Sequence, residues 1–262
     1  MTTIATLKQQ KSKGEKIVCL TAYDASFANL MDTAGVDVIL VGDSLGMVVQ
    51  GQETTIPVTL DEMIYHAIAV KRGTENAFIV VDMPFMSYNT PQKALESAGN
   101  IMKRTGAHMV KLEGGHHLLE TISLLAKHGI PVCAHLGLLP QSVHKSSGYR
   151  VQGKSEADAT VILEDAIALE NAGADMLVLE CVPAELGKLI SLQLTIPVIG
   201  IGAGKDCDGQ VLVCYDMLAI TKGKRPKFSK DFMAGQSSIV DAIKSYVAAV
   251  RQGEFPAEEH QF

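Results

Sequence analysis

Eight short apolar runs, rich in aliphatic and β-branched residues, recur along the chain at 17–21, 38–41, 78–81, 109–112, 132–135, 176–179, 197–201 and 211–215. Their apolar character is nearly continuous rather than alternating, which predicts parallel strands covered on both faces. Stretches of helical period with readable ends lie between them. Thr90-Pro91 supplies a cap followed by proline at the first helical position, predicting a helix that runs to Gly106. Ser155-Glu156 opens another, whose apolar positions Val161, Ile162, Ala166 and Leu169 repeat at helical spacing and which stops near Gly173. Ile122, Leu124 and Leu125 mark a third, ending at His128-Gly129 just before the fifth run.

Three stretches, TAGVDVILVGDS, TGAHMVKLEGG and AGADMLVLECV, share one order: helix end, glycine, short turn, apolar strand, acid. They recur roughly every 70 residues, or two βα units of about 35 residues each, so that eight units fill this length. The pattern predicts one α/β domain over 1–262, a closed (β/α)8 TIM barrel in preference to an open doubly wound sheet. No Pro/Gly/Ser-rich linker marks a second domain.

In a parallel barrel, chemistry gathers where the strands end at the C-terminal face. The residues expected there are polar in nearly every unit: Asp24, Asp43-Ser44, Asp82, Lys111, Glu113, His135, Glu180 and the turn Gly202-Ala203-Gly204. A single acid at a strand end can be no more than a cap for the next helix; several acids converging on one mouth are harder to explain that way. Lys111 and Glu113 share a strand parity and so face the same side. Carboxylates crowded into one cleft need a compensating charge, and oxygen ligands without a His/Cys set favour a hard ion, Mg2+ over Zn2+. Lys111 suits a substrate carboxylate, or else a plain ion pair with a neighbouring acid. IGIGAG reads either as a phosphate cradle or as a glycine turn, since it lacks Rossmann or P-loop spacing. His116 and His117 read as surface residues, and Tyr23, Tyr88 and Tyr149 as mouth or packing residues.

Composition removes whole classes of partner. With 47% hydrophobic and 20% charged residues and a net charge of −6, the chain is globular and has no basic footprint for nucleic acid or an anionic membrane. No apolar run approaches the roughly 20 residues that span a bilayer, and no h-region follows the opening MTTIATLKQQKSKGEK, so a cytoplasmic protein is expected. The five cysteines (Cys19, Cys133, Cys181, Cys207, Cys214) are odd in number and never spaced C-x-x-C, which predicts buried free thiols.

On TAYDASFA, LVGDSLGMVVQG, TIPVTLDEMIYH, DMPFMSY, VKLEGG, HLGLLPQSV, LVLECVP, IPVIGIGAG, DGQVLV, PKF and FPAEEHQF, in order over nearly the whole chain, the sequence resembles the ketopantoate hydroxymethyltransferase family. It departs at Ala134 and Leu139, where Gly and Thr are common, in the first half of HKSSGYRVQG, and at KDCDGQ and TKGKRPKF. The resemblance implies a barrel of the phosphoenolpyruvate mutase/isocitrate lyase type. The implied reaction moves a hydroxymethyl group from 5,10-methylenetetrahydrofolate to 3-methyl-2-oxobutanoate through a Mg2+-stabilised enolate. It gives 2-dehydropantoate, the first step of pantothenate synthesis.

By the same resemblance, Asp43 and Asp82 hold Mg2+ directly or through water, with Glu113 completing the site. Asp43, Ser44, Asp82 and Lys111 contact the 2-oxo acid, His135 lies beside it, and Glu180 accepts the proton. A homo-oligomer, typically a homodecamer, is also implied. Three readings stand beside it: another Mg2+-dependent reaction of the same superfamily, a non-enzymatic scaffold that binds metal without turnover and, more distantly, a phosphate-binding barrel isomerase.

Overall fold

A computed structural model of the chain describes residues 1–145, 148–221, 223 and 225–262. Parts of the divergent HKSSGYRVQG and TKGKRPKF stretches, Ser146, Ser147, Lys222 and Lys224, therefore lie outside the described residues. Eight parallel strands close into a barrel in sequence order: β1 (Ile17–Thr21), β2 (Val38–Val41), β3 (Phe78–Asp82), β4 (Met109–Glu113), β5 (Val132–Gly137), β6 (Met176–Glu180), β7 (Val198–Ile201) and β8 (Gly209–Leu212). Among the described residues, no helix is long and apolar enough to cross a membrane.

Strand alternation divides the apolar side chains into two cores. Ile17, Cys19, Val38, Leu40, Phe78, Val80, Met109, Cys133, Met176, Val178, Ile199 and Val211 fill the barrel, with Leu7 of the helix Ile4–Lys13 packed into the same cluster. The opposite parity, such as Val18, Ile39, Ile79, Val110 and Leu177, packs against the surrounding helices. Those helices begin and end where the sequence signals them. Thr90 caps Pro91–Thr105 through its side chain, which ends at Gly106 in the left-handed region, and Ser155 caps Glu156–Ala172, which ends at Gly173 likewise. All five cysteines are free and buried.

One device repeats beneath the even strands. The residue just before each accepts a backbone N–H from the preceding odd strand: Asp37 from Val18 at 2.9 Å, His108 from Ile79 at 2.9 Å, Asp175 from Val132 at 3.4 Å and Asp208 from Val198 at 2.8 Å. A short polar side chain thus fixes the start of each pair, where the ladder alone leaves an amide unpaired.

Two expectations need correction. The eighth strand is not 211–215 but Gly209–Leu212, and Cys214–Met217 turns into a short helix. Ring closure sets this register, because Ile17 pairs with Gly209 across the β1–β8 seam. Only glycine fits there, since a Cβ on residue 209 would lie 2.4 Å from the Ile17 carbonyl oxygen. Val161, placed on the apolar stripe of its helix, is 56% exposed; Ala166 and Leu169 carry the buried face instead.

Candidate active site

The C-terminal mouth opens into a cavity of about 640 Å3. Its lining includes Asp43, Ser44, Asp82, Lys111, Glu113, His135 and Glu180, so every residue singled out for substrate, metal or proton transfer meets in one place. Register explains the convergence. Asp82 is the cross-strand partner of Lys111, and Glu113 that of His135. All four share the inward parity of their strands: Asp82 and His135 follow the inward Val80 and Cys133 by two residues, and Lys111 and Glu113 follow Met109 by two and four. Gly42 holds the matching place after β2, where a Cβ would come within 2.9 Å of Ser44 Oγ and 3.5 Å of Asp82 Oδ2. The missing side chain leaves Asp43 and Ser44 room at the rim.

The charged groups form a buried chain. Lys111 Nζ lies 3.2 Å from Asp82 Oδ1, 3.8 Å from Glu113 Oε1 and 3.1 Å from His135 Nδ1. His135 Nδ1 is in turn 3.4 Å from Glu113 Oε1, and its Nε2 is 3.2 Å from Glu180 Oε2. Because a lysine ammonium only donates, a neutral His135 must accept at Nδ1 and carry its proton on Nε2. Asp82 Oδ2 accepts from the Asp43 backbone N–H at 3.1 Å.

Burial acts on each group first, and its neighbours decide the outcome. Asp43 is held well above the usual carboxylate range by burial and by the charges of Asp82 and Glu113, which Lys111 and the Gln141 amide only partly oppose. Asp82 is raised by burial despite Lys111. Glu113 goes the other way, since His135, Lys111 and the Gln141 N–H outweigh its burial. Lys111 is buried yet held above its ordinary value by Asp82, Glu113 and Asp43. His135 is pushed up by Glu113 and Glu180 against burial and Lys111.

These carboxylates have capacity to spare for a cation. Asp82 Oδ1 is buried without a hydrogen-bond partner, although Lys111 is near enough to attract it. Among the described residues no three His, Cys, Asp or Glu side chains close around a common point as a ready metal cage. Both Glu113 oxygens already face protein groups, Oε2 accepting from Gln141 N at 3.0 Å and Oε1 lying beside His135 and Lys111. Mg2+ fits such a donor set, because it is commonly held by one or two carboxylates, with waters and substrate filling its remaining positions.

Other candidates resolve differently. Asp24 is a cap, accepting from the Phe27 N–H at 2.9 Å. Gly202 and Gly204 have φ of 61° and 88° and pack closely, a Cβ on the first meeting the Phe262 and Phe228 rings and on the second Ala184; this matches the turn reading of IGIGAG. His116 and His117 are exposed. Tyr149 lines the cavity, whereas Tyr23 donates to or accepts from Ser44 Oγ at 2.9 Å and Tyr88 bonds Gln141 Oε1 at 2.5 Å. Gln141, buried among the acids, has no signal of its own in the sequence: it is one polar residue in a loop, and only the fold carries it across the mouth.

A family model described as ketopantoate hydroxymethyltransferase matches residues 1–258. A 3-methyl-2-oxobutanoate hydroxymethyltransferase from Nitrosococcus oceani is 60% identical over 257 residues, covering 98% of this chain and 97% of that protein. One from Idiomarina loihiensis is 59% identical over 261 residues, covering 100% and 98%. Among solved structures, 2,3-dimethylmalate lyase, a member of the PEP mutase/isocitrate lyase superfamily, aligns with a TM-score of 0.58 at 16% identity over 81% of each chain. That last likeness concerns the fold alone.

Proposed function

Because the chain belongs to the ketopantoate hydroxymethyltransferase family, we propose that its barrel mouth binds 3-methyl-2-oxobutanoate on Asp43, Ser44, Asp82 and Lys111, with Mg2+ on the same acids and Glu180 as the base. The enzyme is a transferase that adds a hydroxymethyl group to that 2-oxo acid, the first step of pantothenate synthesis. The donor in this reading is 5,10-methylenetetrahydrofolate. The observation that carries the assignment is the single cavity in which Lys111 lies among Asp82, Glu113 and His135 while Glu180 stands at the wall.

Asp43 and Asp82 would hold the ion, directly or through water, with Glu113 completing the site. When bound, Mg2+ supplies electron withdrawal from the keto oxygen, which makes the neighbouring C3–H acidic. Lys111 and Ser44 orient the substrate carboxylate, and His135 packs beside the carbon skeleton. Glu180 takes the C3 proton, leaving C3 nucleophilic toward the methylene carbon of the donor. A C–C bond forms there as one methylene–nitrogen bond of the donor breaks, that nitrogen receiving the proton taken by Glu180; water then displaces the second nitrogen, its hydroxyl staying on the product carbon and its proton passing to that nitrogen.

A cytoplasmic homo-oligomer, ten subunits by family resemblance, completes the reading. It is favoured by the free buried thiols and by the exposed Tyr65, Leu189 and Leu192 side chains. The test is proton NMR of 3-methyl-2-oxobutanoate in D2O with the protein, Mg2+ and tetrahydrofolate. Loss of the C3–H signal that requires both protein and Mg2+ is expected. A signal that persists with all components present overturns the proposed chemistry.

A further inference from the structure

We propose that Gln141 is a positioning residue for the cation site, holding Asp43 and Glu113 in fixed places, and that Tyr88 sets the direction of its amide. The inference rests on the reading that Asp43 and Asp82 hold a divalent cation.

Gln141 lies on the short turn Pro140–Ser142 after β5 and is 5% exposed. Its backbone N–H donates to Glu113 Oε2 at 3.0 Å. Its side-chain Nε2 donates to Asp43 Oδ2 at 2.8 Å and to the Met83 carbonyl at 3.0 Å, and its Oε1 accepts from the Tyr88 hydroxyl at 2.5 Å. Both amide protons are thus spent, and one residue spans the acids that follow β2 and end β4.

Only one orientation of the amide satisfies these partners. Turned over, Oε1 would face the Asp43 carboxylate and the Met83 carbonyl, three acceptors with no proton between them. Tyr88 enforces the choice from the other side. Its oxygen already accepts from the Glu113 N–H at 3.3 Å, so its own proton is directed to Gln141 Oε1 and the Glu113 carbonyl. Replacing Tyr88 by phenylalanine would leave the direction of the amide to Asp43 and Met83 alone.

The consequence for the cation follows from charge. Asp43 and Glu113 must be held in place, yet a lysine or arginine at position 141 would neutralise the charge that attracts the ion. A neutral amide fixes a carboxylate without cancelling it. Gln141 engages Oδ2 of the cavity-lining Asp43, and among the described residues no hydrogen bond is made to Oδ1, which this arrangement keeps available for a cation. Partners of this kind behind metal-binding carboxylates typically change metal affinity about 10–100-fold when removed.

The experiment titrates Mn2+ as an EPR-visible probe into the full-length protein without substrate, comparing wild type with Gln141→Leu, Tyr88→Phe and Asp43→Asn. Gln141→Leu should weaken Mn2+ binding about 10–100-fold. Tyr88→Phe should weaken it in the same direction by less, and Asp43→Asn should remove it. Thermal midpoints without metal report folding separately. Gln141→Leu and Tyr88→Phe proteins that fold and bind Mn2+ as wild type does would overturn the role of Gln141; if Gln141→Leu fails to fold, unchanged binding by Tyr88→Phe overturns it. A wild-type protein that binds no Mn2+ instead overturns the reading of the cation site itself.

Discussion

Glu180 Oε2 lies 3.2 Å from His135 Nε2, yet no hydrogen bond joins them: His135 Nε2 is buried without a partner of suitable direction. The distance is short enough for attraction between the groups, and the misalignment leaves the carboxylate free to turn into the cavity that it lines. A base tied into a tight pair would have to break it before taking a proton. Glu180→Gln keeps the shape and removes the basicity. It should slow C3–H exchange and turnover by about 10²–10⁴-fold while Mn2+ affinity stays within a factor of about three. Exchange at the wild-type rate in that variant would exclude Glu180 as the proton acceptor.

Lys111 is 4% exposed among acids that need its charge. Removing one partner of such a buried cluster leaves the others uncompensated, which typically costs about 3–5 kcal/mol. Lys111→Met should therefore lower the thermal midpoint sharply in metal-free buffer. Millimolar Mg2+ should restore part of it, since a cation bound to the folded state alone stabilises by RT ln(1 + c/Kd) at a free cation concentration c. The two scans, with and without Mg2+, read the effect directly. A variant that gains no more from Mg2+ than wild type does would show that Lys111 and the cation do not share the same carboxylates.

Asp32, far from the mouth, carries a separate pH dependence. Burial raises its carboxyl, but N–H groups of Ala77, Asn76 and Glu75 outweigh that and hold it below the usual range. The shortest of these bonds is 2.6 Å, from Ala77. A folded-state value below the unfolded value of about 3.9 stabilises the protein above that pH, and the contribution is lost as pH falls through the folded value. Asp32→Asn should consequently be less stable than wild type at pH 7. The gap should narrow in acid, measured by urea midpoints from pH 7 down to pH 3. A gap that stays constant across that range would locate the effect in packing instead of ionisation.

The parts of the site legible in the sequence are those that the strands themselves deliver. Lys111 and Glu113 were readable because parity along β4 decides their side, and Asp82, His135 and Glu180 because each ends an apolar run. Gln141 was not, because its importance comes from a loop path that links β2, β3 and β4 and has no periodicity. Asp24 has the strand-end position of a mouth residue but is a cap, a distinction that only the direction of its side chain settles. The eighth strand, Gly209–Leu212, departs from its apolar run for a related reason. Gly209 and Gln210 lack the apolar signature of the other runs, and their strand conformation is imposed by pairing with Ile17 and Val18. Asp208, the fourth of the polar residues that precede the even strands, sits where Asp37, His108 and Asp175 sit in their units, but outside the three stretches of shared order that contain those residues.

Tyr246, on the helix Ile239–Arg251, shares its hydroxyl between the Cys19 and Gln210 carbonyls, each 3.0 Å away, and so spans the join between β1 and β8. Cys19 and Tyr246 are 227 residues apart along the chain. As the polypeptide leaves the ribosome, β1 can pair with β2 early, but its other edge stays open until β8 and this helix arrive. An open edge is a template for wrong pairing, and contacts so distant in sequence form slowly. Until the ring shuts, the acids of β2, β3, β4 and β6 stand on an arc, without the enclosing wall that keeps water from their charges. The seam is therefore what turns that arc of acids into a closed mouth, and a nascent chain stalled before it would carry every one of those acids without the cavity that encloses them.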